Sequence, residues 1–410
     1  MTQKLATDIE AELRRCVHCG FCTSACPTYQ VEGNELDGPR GRITLIEAML
    51  HDEAPPAPEA VWHIDRCLSC LSCATACPSG VGYGTLIGAA RAHIETHYKR
   101  PWSDRLFRQL LGWVMPNGRI FGAALTLGRI AAPFRALLPA KARGMIDLLP
   151  PQGTRKPLSP GTYPSQGKVK MTVGLLPGCV QDQLSPAINQ AAIRVLNKLG
   201  ASVIVPEAPF CCGALSHHLG EEEGTLMHAR ATLAAAKVML AAGASRIVTT
   251  TAGCGTLMKG YGSLVPSDPA FADLARRSAD ISEVVAALGW PQDRKIAAPF
   301  KLAYQSACSL QHGQKIEEGP KALLATAGFA VVDLPEAHLC CGSAGTYNLL
   351  ELELSAALRK RKQTAIESTG AEAVASGNIG CIVQLTQGLR MPIAHFIQWL
   401  DYALGGPRPV

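Results

Sequence analysis

Short apolar runs alternate with amphipathic segments along the C-terminal part of the chain. Strands are predicted at the runs MTVGLL, SVIVP and RIVTTT, and helices at residues 186–199 and 224–242 between them. The same order returns further along, with the runs FKLAY, AVVDL and EAVAS and helices at residues 319–327 and 351–368. Strands that alternate with helices favour parallel sheets, so the pattern predicts two α/β units, one after the other.

A different pattern lies ahead of these units. Residues 150–170 are rich in Pro, Gly and Ser and are predicted to form a linker. Before it, the segments RLFRQLLGWVMP and IFGAALTLGRIAAPFRALL have apolar faces with scattered arginines. No uncharged apolar run reaches about 18 residues, so the pattern predicts no membrane-spanning helix. The predicted domains are residues 1–98, a connector at 99–170, and two α/β units at 171–298 and 299–410.

The connector holds a concentrated positive charge. Residues 99–170 contain 13 Lys or Arg side chains and two Asp, a net charge of +11, whereas the whole chain carries +6. This favours a helix that lies on an anionic membrane or against an acidic partner, and a packed connector with a solvated basic face is the alternative. The total charge is too small to indicate nucleic acid as a partner. The 47% apolar and 18% charged residues are typical of a globular protein.

Sixteen cysteines stand out among the 410 residues. The stretch MTQKLATDIEAELRRC at the N-terminus has no apolar signal core, so we expect a cytoplasmic protein. In a reduced compartment, so many cysteines favour metal ligands or redox groups over a disulfide framework. Half of them lie between Cys16 and Cys77, and half between Cys179 and Cys381.

The N-terminal cysteines form two runs of the pattern C-x-x-C-x-x-C-x-x-x-C-P. In two-cluster ferredoxins, three cysteines of such a run bind one cubane and the fourth binds the other. The pattern therefore predicts two [4Fe–4S] clusters; zinc, which also accepts four thiolates, is the weaker alternative. The first cluster site comprises Cys16, Cys19, Cys22 and Cys77. The second cluster site comprises Cys67, Cys70, Cys73 and Cys26.

The segment between these two runs bears on the fold of the N-terminal domain. It contains 40 residues, with helical periodicity at residues 43–50 and an Ala/Pro-rich loop. Short ferredoxins of the ββαβ type usually have fewer residues here. The spacing therefore predicts a helical two-cluster ferredoxin-like domain, whose function would be one-electron transfer.

The C-terminal cysteines reveal a duplication. Cys179 and Cys308, Cys211 and Cys340, and Cys212 and Cys341 are each 129 residues apart, and Cys254 and Cys381 are 127 apart. Neighbouring residues agree, with FCCGA matched by LCCGS. We call one set the first thiol quartet: Cys179, Cys211, Cys212 and Cys254. We call the other the second thiol quartet: Cys308, Cys340, Cys341 and Cys381.

Each quartet is expected to converge on one site. Its cysteines follow predicted strands, and parallel α/β sheets present ligand sites at the carboxyl ends of their strands. Gly213 and Gly342 permit the sharp turn that two adjacent cysteines need in order to face one site. A further iron–sulfur cluster, a zinc ion and a redox dithiol are all open interpretations, as is a structural role in one half.

Other polar residues near these motifs have two interpretations each. His18 could tune a cluster through a hydrogen bond or lie in a solvated loop. Arg40 and Arg42 could stabilise cluster charge or contact a partner, or they could occupy an exposed turn. Histidines near the quartets could supply a nitrogen ligand or a proton route, or could simply be packed: His217, His218, His312 and His338. Tyr347 and Asn348 could line the site of the second quartet, and only their position in the sequence indicates this.

Several stretches carry a resemblance to a known family. The tandem CysCysGly domains resemble those of heterodisulfide reductase, of the anaerobic glycerol-3-phosphate dehydrogenase iron–sulfur subunit and of lactate-utilisation proteins. CVHCGFCTSACPTYQ, ELDGPRGRI, CPSGVGY, CSLQHGQK and HLCCGSAGTYN together resemble the iron–sulfur subunits of glycolate oxidase (glycolate dehydrogenase), over nearly the whole chain. In the heterodisulfide reductase pattern each repeat ends in Cys-x-x-Cys, but Leu257 and Gln384 replace the last cysteine here. A noncubane double cluster of that type is therefore not expected.

The resemblance implies a division of labour within an oxidoreductase complex. Flavoprotein subunits containing FAD would oxidise glycolate to glyoxylate, or also D-lactate, and this chain would pass electrons singly towards a membrane quinone. The chain would lie at the periphery of the inner face of the cell membrane, would supply no catalytic residue and would not be active alone. Consistent with this, no G-x-G-x-x-G motif follows a predicted strand.

Three other functions remain open. The chain could be the iron–sulfur subunit of another flavin-dependent dehydrogenase, for lactate or glycerol 3-phosphate. It could be a subunit like a disulfide reductase, with catalytic CysCysGly sites. It could also be a scaffold whose quartets bind structural zinc.

Overall fold

The structure is a computed structural model that describes residues 3–51, 54–149, 157–207 and 211–409. Within residues 3–51 and 54–149, all regular structure is helical, including 3₁₀ segments at Glu35–Asp37 and Ala132–Leu137. The helices are α1 (Gln3–Arg14), α2 (Phe21–Ser24), α3 (Pro27–Glu32), α4 (Pro39–His51), α5 (Pro58–Asp65), α6 (Ser72–Thr75), α7 (Tyr83–His97), α8 (Trp102–Val114), α9 (Gly118–Ala131) and α10 (Ala140–Asp147).

The first α/β unit is built around one sheet. Its strands are β1 (Gly161–Tyr163), β2 (Met171–Leu176), β3 (Ala201–Val205), β4 (Arg246–Thr249) and β5 (Ser278–Asp280). Its helices are α11 (Gln181–Leu184), α12 (Pro186–Leu199), α13 (Ala214–Leu219), α14 (Glu222–Ala241), α15 (Ala252–Lys259), α16 (Tyr261–Leu264), α17 (Pro269–Arg277) and α18 (Ile281–Leu288). The strand order is β1-β3-β2-β4-β5; β1 is antiparallel to β3, and the other neighbours are parallel.

The second α/β unit repeats this architecture. Its strands are β6 (Lys301–Gln305), β7 (Ala330–Val332), β8 (Ala373–Ser376) and β9 (Ile393–His395). Its helices are α19 (Gly319–Thr326), α20 (Tyr347–Leu350), α21 (Leu352–Glu367), α22 (Ile379–Thr386) and α23 (Phe396–Ala403), with a π-helical turn at Ser309–Gly313. The strand order β7-β6-β8-β9 is fully parallel and matches β3-β2-β4-β5 of the first sheet.

These elements confirm the predicted fold class: a helical two-cluster ferredoxin-like domain followed by duplicated, mainly parallel α/β units. Each strand and helix that the C-terminal pattern predicts is present, with ends that differ by a few residues. Three strands of only three residues escaped prediction, because so short a run has no clear alternation: β1, β5 and β9. The antiparallel β1 lies in the segment predicted as linker, of which residues 150–156 lie outside the described residues. The domain boundaries themselves stay a prediction.

The two α/β units share one hydrophobic core. Buried side chains of both sheets belong to a single cluster, in which α12 packs against α23. Arg194 of α12 also forms an ion pair with the buried Asp401 of α23, at 2.6 Å. The duplicated units therefore form one body, which fixes the positions of the two quartets relative to each other.

The connector differs from the rest of the chain in what it exposes. Large apolar side chains of α8, α9 and the following 3₁₀ segment face solvent, among them Trp102, Trp113, Ile130 and Leu137. The helical segment Gly118–Leu137 is long and apolar enough to cross a membrane by length and composition, and almost none of it is buried. The prediction of no membrane-spanning helix counted only uncharged runs, whereas this segment contains Arg119, Arg129 and Arg135, and it stays a prediction. By itself, this segment establishes no membrane span.

Candidate metal centres

The four cysteines of the first cluster site line one cavity close to the surface. Cys16 and Cys19 come from the turn between α1 and α2, Cys22 lies in α2, and Cys77 comes from the turn after α6. The turn folds around the cavity because His18 and Gly20 have left-handed backbone conformations, with φ 53° and φ 83°. Cys19 is exposed, so this site reaches the protein surface.

The four cysteines of the second cluster site line an adjoining cavity, and all four are buried. Cys67 and Cys70 come from the turn between α5 and α6, Cys73 lies in α6, and Cys26 immediately precedes α3. Cys73 and the ring of Tyr83 line both cavities, so the two sites are neighbours. The structure thus brings together the thiols that the crossed spacing groups together.

The surroundings of these thiols fit anionic iron–sulfur groups. Backbone N–H groups donate to sulfur from Ser69 to Cys67 at 3.4 Å and from Val81 to Cys77 at 3.5 Å. Hydrogen bonds to the sulfurs are one of the means by which proteins set cluster potentials. Burial first, and then the charge of Cys16, raises the pKa of the Cys22 thiol to about 11. Bound iron ions would offset this cost, because ligand thiols bind metal as thiolates.

A buried arginine supports the second cluster site. Arg42 is 1% exposed, and its Nη1 lies 4.0 Å from the sulfur of Cys26 and donates to Thr28 Oγ1 at 3.1 Å. Its Nη2 donates to the buried Asp37 at 3.2 Å, and Arg66 donates to the same carboxylate at 2.8 Å. Burial lowers the pKa of Arg42, but the charges of Cys67, Tyr83, Cys26 and Asp37 raise it further.

These contacts decide between the two interpretations of each arginine. Arg42 does not occupy an exposed turn; it is a fixed positive charge beside the second cluster site. Arg40 lies at the surface, bound to Glu35 at 2.7 Å and to the carbonyl of His18 at 3.1 Å. No sequence pattern indicates the supporting carboxylate Asp37, because its burial depends on Arg42 of α4 meeting His63 and Arg66 at the end of α5.

The second thiol quartet converges as expected. Cys308 donates to the sulfur of Cys340 at 3.8 Å, and Cys341 donates to that of Cys381 at 3.2 Å. The N–H of Gly342 donates to Cys340 at 3.4 Å. Hydrogen bonds from Cys308 and Cys341 lower the pKa of Cys340, which favours the thiolate form of this sulfur.

The first thiol quartet has the same internal pattern. Cys211 accepts hydrogen bonds from Cys179 and Cys212, which lower its pKa, and Cys212 also contacts Cys254. The N–H of Gly213 donates to Cys211 at 3.4 Å, as Gly342 does in the second quartet. Both glycines have φ 86°, and a Cβ on either would lie within 3.0 Å of a backbone oxygen. The turn in each CysCysGly motif therefore requires glycine.

The type of metal at the quartets is not given by this geometry. Within residues 3–51, 54–149, 157–207 and 211–409, no group of three or more His, Cys, Asp or Glu side chains is arranged to hold a metal ion. A single zinc ion needs four donors at one centre, whereas the cysteines of a cluster each bind a different iron. In each quartet as the structure describes it, the thiols and an N–H donor lie near one another but are not arranged around a single metal ion.

The quartets differ in their neighbours. Cys340, Cys341 and Cys381 share a buried cluster with Cys70 of the second cluster site and with Leu68. Cys212, by contrast, lies in a buried cluster formed within residues 176–275. The second quartet is therefore packed directly against the N-terminal domain.

A buried lysine also faces the second quartet. Lys362 of α21 is 2% exposed, and its Nζ donates to the carbonyl of Glu336 at 2.8 Å. Burial lowers the pKa of Lys362, while the neighbouring thiols Cys341, Cys340, Cys381 and Cys308 raise it. A lysine in the run LRKRKQ gives no sequence signal of burial, which is why this residue was missed.

Among the histidines near the quartets, His312 is hydrogen-bonded, and His217 and His218 are largely removed from water. His312 bonds to Thr75 Oγ1 at 3.0 Å and to the carbonyl of His338 at 3.2 Å, which joins the second unit to α6. Burial, and then the charge of Arg91, lowers the pKa of His217 to about 4 and that of His218 to about 3. Tyr347 donates to the carbonyl of Arg66 at 3.2 Å, and Asn348 donates to Gln384 at 3.0 Å.

Comparison with known families agrees with this division of the chain. A model described as "4Fe-4S dicluster domain" matches residues 12–81. A model described as "Cysteine-rich domain" matches twice, at residues 173–259 and 302–386. Two adjoining thiol-lined cavities in a helical domain, followed by a duplicated thiol-bearing α/β unit, define an iron–sulfur protein.

Full-length relatives give the family. The chain is 40% identical to the glycolate oxidase iron–sulfur subunit of Escherichia coli (strain K12), over 97% of this chain and 96% of that protein. It is 31% identical to the probable glycolate oxidase iron–sulfur subunit of Bacillus subtilis (strain 168), over 93% of this chain and 90% of that protein. Lactate utilization protein A of Bacillus pumilus is 27% identical over 52% of this chain and 90% of that protein. The chain belongs to the family of glycolate oxidase iron–sulfur subunits.

Proposed function

We propose that this chain is the electron-transfer subunit of a glycolate oxidase complex. FAD-containing partner subunits oxidise glycolate to glyoxylate, and this chain carries the electrons onwards to a membrane quinone. The full-length similarity to glycolate oxidase iron–sulfur subunits supports the choice of complex. The single observation that carries the role in electron transfer is the continuous series of thiol sites from the exposed Cys19 to the buried second quartet.

Electrons would pass through the thiol sites of this chain in a fixed order. The first cluster site would hold one iron–sulfur cluster and the second cluster site another, and these groups supply reversible one-electron chemistry. Arg42 holds positive charge beside Cys26 and so favours the reduced, more negative state of the group bound there. Cys70 then lies in the same buried cluster as the second quartet, which would receive the electron next.

The exposed end of this series is suited to the flavoprotein partner. Val17 and Phe21 flank Cys19 and are 68% and 66% exposed. An apolar side chain on each side of an exposed cluster ligand can be covered by a partner, which would also exclude water from the site. We therefore place the flavoprotein subunits over the first cluster site.

The connector is suited to the membrane. Its exposed apolar side chains are accompanied by a net charge of +11 over residues 99–170. Apolar side chains with surrounding arginines are typical of helices that lie in the interface of an anionic membrane. We propose that this face of a cytoplasmic protein rests on the inner side of the cell membrane, where the quinone is dissolved.

Metal analysis with EPR of anaerobically purified protein tests the proposal. About eight iron atoms per chain and no zinc would correspond to two cubanes alone. About twelve or more would bring a quartet into the electron path, which is the result we expect. An iron content near zero under anaerobic conditions would refute the proposal.

The function of a disulfide reductase has less support. Leu257 and Gln384 stand where the related reductases have a further cysteine. Gln384 is buried, and its amide donates to Ser355 Oγ at 2.8 Å. The position of the missing cysteine therefore holds a fixed amide side chain. Assays of glycolate, D-lactate and glycerol 3-phosphate with the purified complex would identify the substrate of its flavoprotein.

A further inference from the structure

A cavity of about 330 Å³ lies where the connector meets the second α/β unit. It is bounded by α10, α21 and α22, and its size is within the range of small-ligand sites. Three arginines line it, together with two glutamines: Arg135, Arg143, Arg359, Gln384 and Gln387. We call it the arginine-lined cavity.

Two residues that line the arginine-lined cavity, Gln384 and Ser355, connect it to the second quartet. Gln384 lies on α22 three residues after Cys381, about one helical turn away. Its amide donates to Ser355 Oγ at 2.8 Å, and Ser355 Oγ donates to the carbonyl of Gly342 at 2.8 Å. Gly342 directly follows the two adjacent cysteines of the second quartet. A molecule in the cavity would therefore lie close to that quartet.

The cavity offers hydrogen-bond donors to an uncharged oxygen. Nε2 of Gln387 is buried, and no described residue is its hydrogen-bond partner. Arg359 donates to the other end of this amide, Oε1, and so fixes which atom remains the donor. The lining also includes the carboxylate of Asp147, which pairs with Arg135 at 2.7 Å. That pairing neutralises Arg135 and leaves the amide of Gln387 as a donor for a neutral carbonyl oxygen.

The cavity is also close to the exposed apolar face of the connector. Arg135 belongs to the 3₁₀ segment Ala132–Leu137, whose Phe134 and Leu137 are 62% and 83% exposed. A ligand with an apolar tail could leave its tail along these side chains while its polar head enters the cavity.

From this juxtaposition we propose that the arginine-lined cavity binds the head group of a quinone. The inference rests on the proposed function, in which the second quartet holds a redox group. The two electrons released when the flavoprotein oxidises one 2-hydroxy acid would reach the quinone one at a time through a redox group held by the second quartet. The quinone takes both electrons and two protons from water at the mouth of the cavity, and leaves as a quinol.

Two substitutions test the site without touching a thiol. Gln387→Leu removes the unpartnered donor at nearly constant size. Gly144→Leu fills the cavity from α10, where a Cβ would meet only the flexible end of Leu352, at 3.0 Å. Gln292→Leu, at an exposed position of the first unit, is the matched control. Each protein is purified as the complex with its flavoprotein subunits, and its iron content and EPR spectrum are recorded first.

The probe is a ubiquinone with a short isoprenoid tail, titrated calorimetrically. We expect Gln387→Leu and Gly144→Leu each to weaken binding at least about tenfold, because each removes a hydrogen bond or the space for the head group. Gln292→Leu should bind as the unchanged complex does. Reduction of a soluble dye that accepts electrons ahead of the cavity should be the same in all four proteins.

Three results would overturn the proposal. Quinone binding that is unchanged in both cavity variants would place the site elsewhere, while leaving the proposed function intact. Binding of inorganic phosphate or glycolate that only the cavity variants lose, without quinone binding, would make the cavity an anion site. If the unchanged complex reduces the dye with glycolate but never reduces the quinone, the acceptor in the proposed function is wrong as well.

Discussion

The two α/β units carry the same four thiols in the same turn, yet each quartet has a different environment. Both have the CysCysGly glycine at φ 86° and the same order of parallel strands. The second quartet shares a buried cluster with Cys70 of the N-terminal domain, whereas Cys212 is enclosed by its own unit. Duplication therefore preserved the donors, while the position of the N-terminal domain made one site its neighbour.

A second difference lies on the helix that covers each quartet. A Cβ on Gly213 would meet Thr225 and His228 of α14, and one on Gly342 would meet Ser355 and Leu358 of α21. Thr225 of α14 therefore corresponds to Ser355 of α21. Seven residues after each of these, Thr232 of α14 corresponds to Lys362 of α21. Thr232 donates to the carbonyl of Cys211 at 3.0 Å, and Lys362 brings a buried positive charge to the second quartet. The two sites therefore differ in charge as well as in their contact with the N-terminal domain.

The largest expected effect comes from replacing one cysteine of the second quartet, compared with the same replacement in the first. Cys381→Ser should abolish glycolate-dependent quinone reduction by the complex, a loss of at least about 1,000-fold, because the second quartet would lie in the path. Cys254→Ser, at the corresponding position of the first unit, should leave at least about a third of the rate. Stopped-flow reduction of quinone measures both, and the EPR spectrum of the N-terminal clusters verifies that each variant is folded. Equal losses would mean that the difference in packing has no functional consequence.

The last strand of each sheet ends in a helix-capping residue of opposite chemistry. Asp280 caps α18 and His395 caps α23, and both are fully buried. Burial raises the pKa of Asp280 to about 6, so stability is lost as the pH rises from about 4 to 6. Burial lowers the pKa of His395 to about 4, so stability is lost as the pH falls from 6.5 to about 4.

These opposite signs give a second way to separate the units. Asp280→Asn should raise the free energy of unfolding at pH 7 by about 3 kcal/mol, because no carboxylate then has to ionise in the core. His395→Asn should remove a loss of about 2 kcal/mol between pH 7 and pH 5. Urea unfolding at pH 5 and pH 7 tests both, with the unchanged protein as reference. The same pH dependence in both variants would contradict the assigned shifts.

Much of this comparison could be predicted from the sequence. The repeat of 129 residues and the Cys-Pro runs depend on local spacing, and the predicted strands that carry the quartets are all present. What escaped prediction depends on long-range packing. Examples are the ion pair of Asp37 with Arg42, the buried Lys362 beside the second quartet, and the packing of Cys70 with Cys340. A charged residue in a polar run gives no sign that tertiary structure will bury it. The exposed apolar face of the connector was visible in the sequence, but the cavity beside it was not.

A smaller effect is expected at Lys362. Lys362→Met removes the positive charge that faces the second quartet and keeps an apolar stem of similar length. The reduced state of the group bound there would lose this stabilisation, so its midpoint potential should fall and quinone reduction should slow about tenfold. Thr232→Val in the first unit is the matched control and should change neither. Redox titration followed by EPR provides the measurement; a potential that Lys362→Met leaves unchanged would contradict the role of this charge.

The smallest effect concerns the outer surfaces of the same regions. Both the connector and the first unit expose arginines, but those of the connector stand among many exposed apolar side chains, such as Trp113 and Ile130. An arginine near an anionic membrane contributes about 1 kcal/mol, so Arg119→Gln should weaken binding to vesicles containing anionic lipid about fivefold at low salt. Arg276→Gln on α17 removes the same charge from an exposed helix of the first unit and should leave vesicle binding unchanged. Co-sedimentation with vesicles measures both, together with iron content, which neither substitution should alter. Equal weakening by the two variants would mean that the net charge of the protein, rather than the face of the connector, holds it at the membrane.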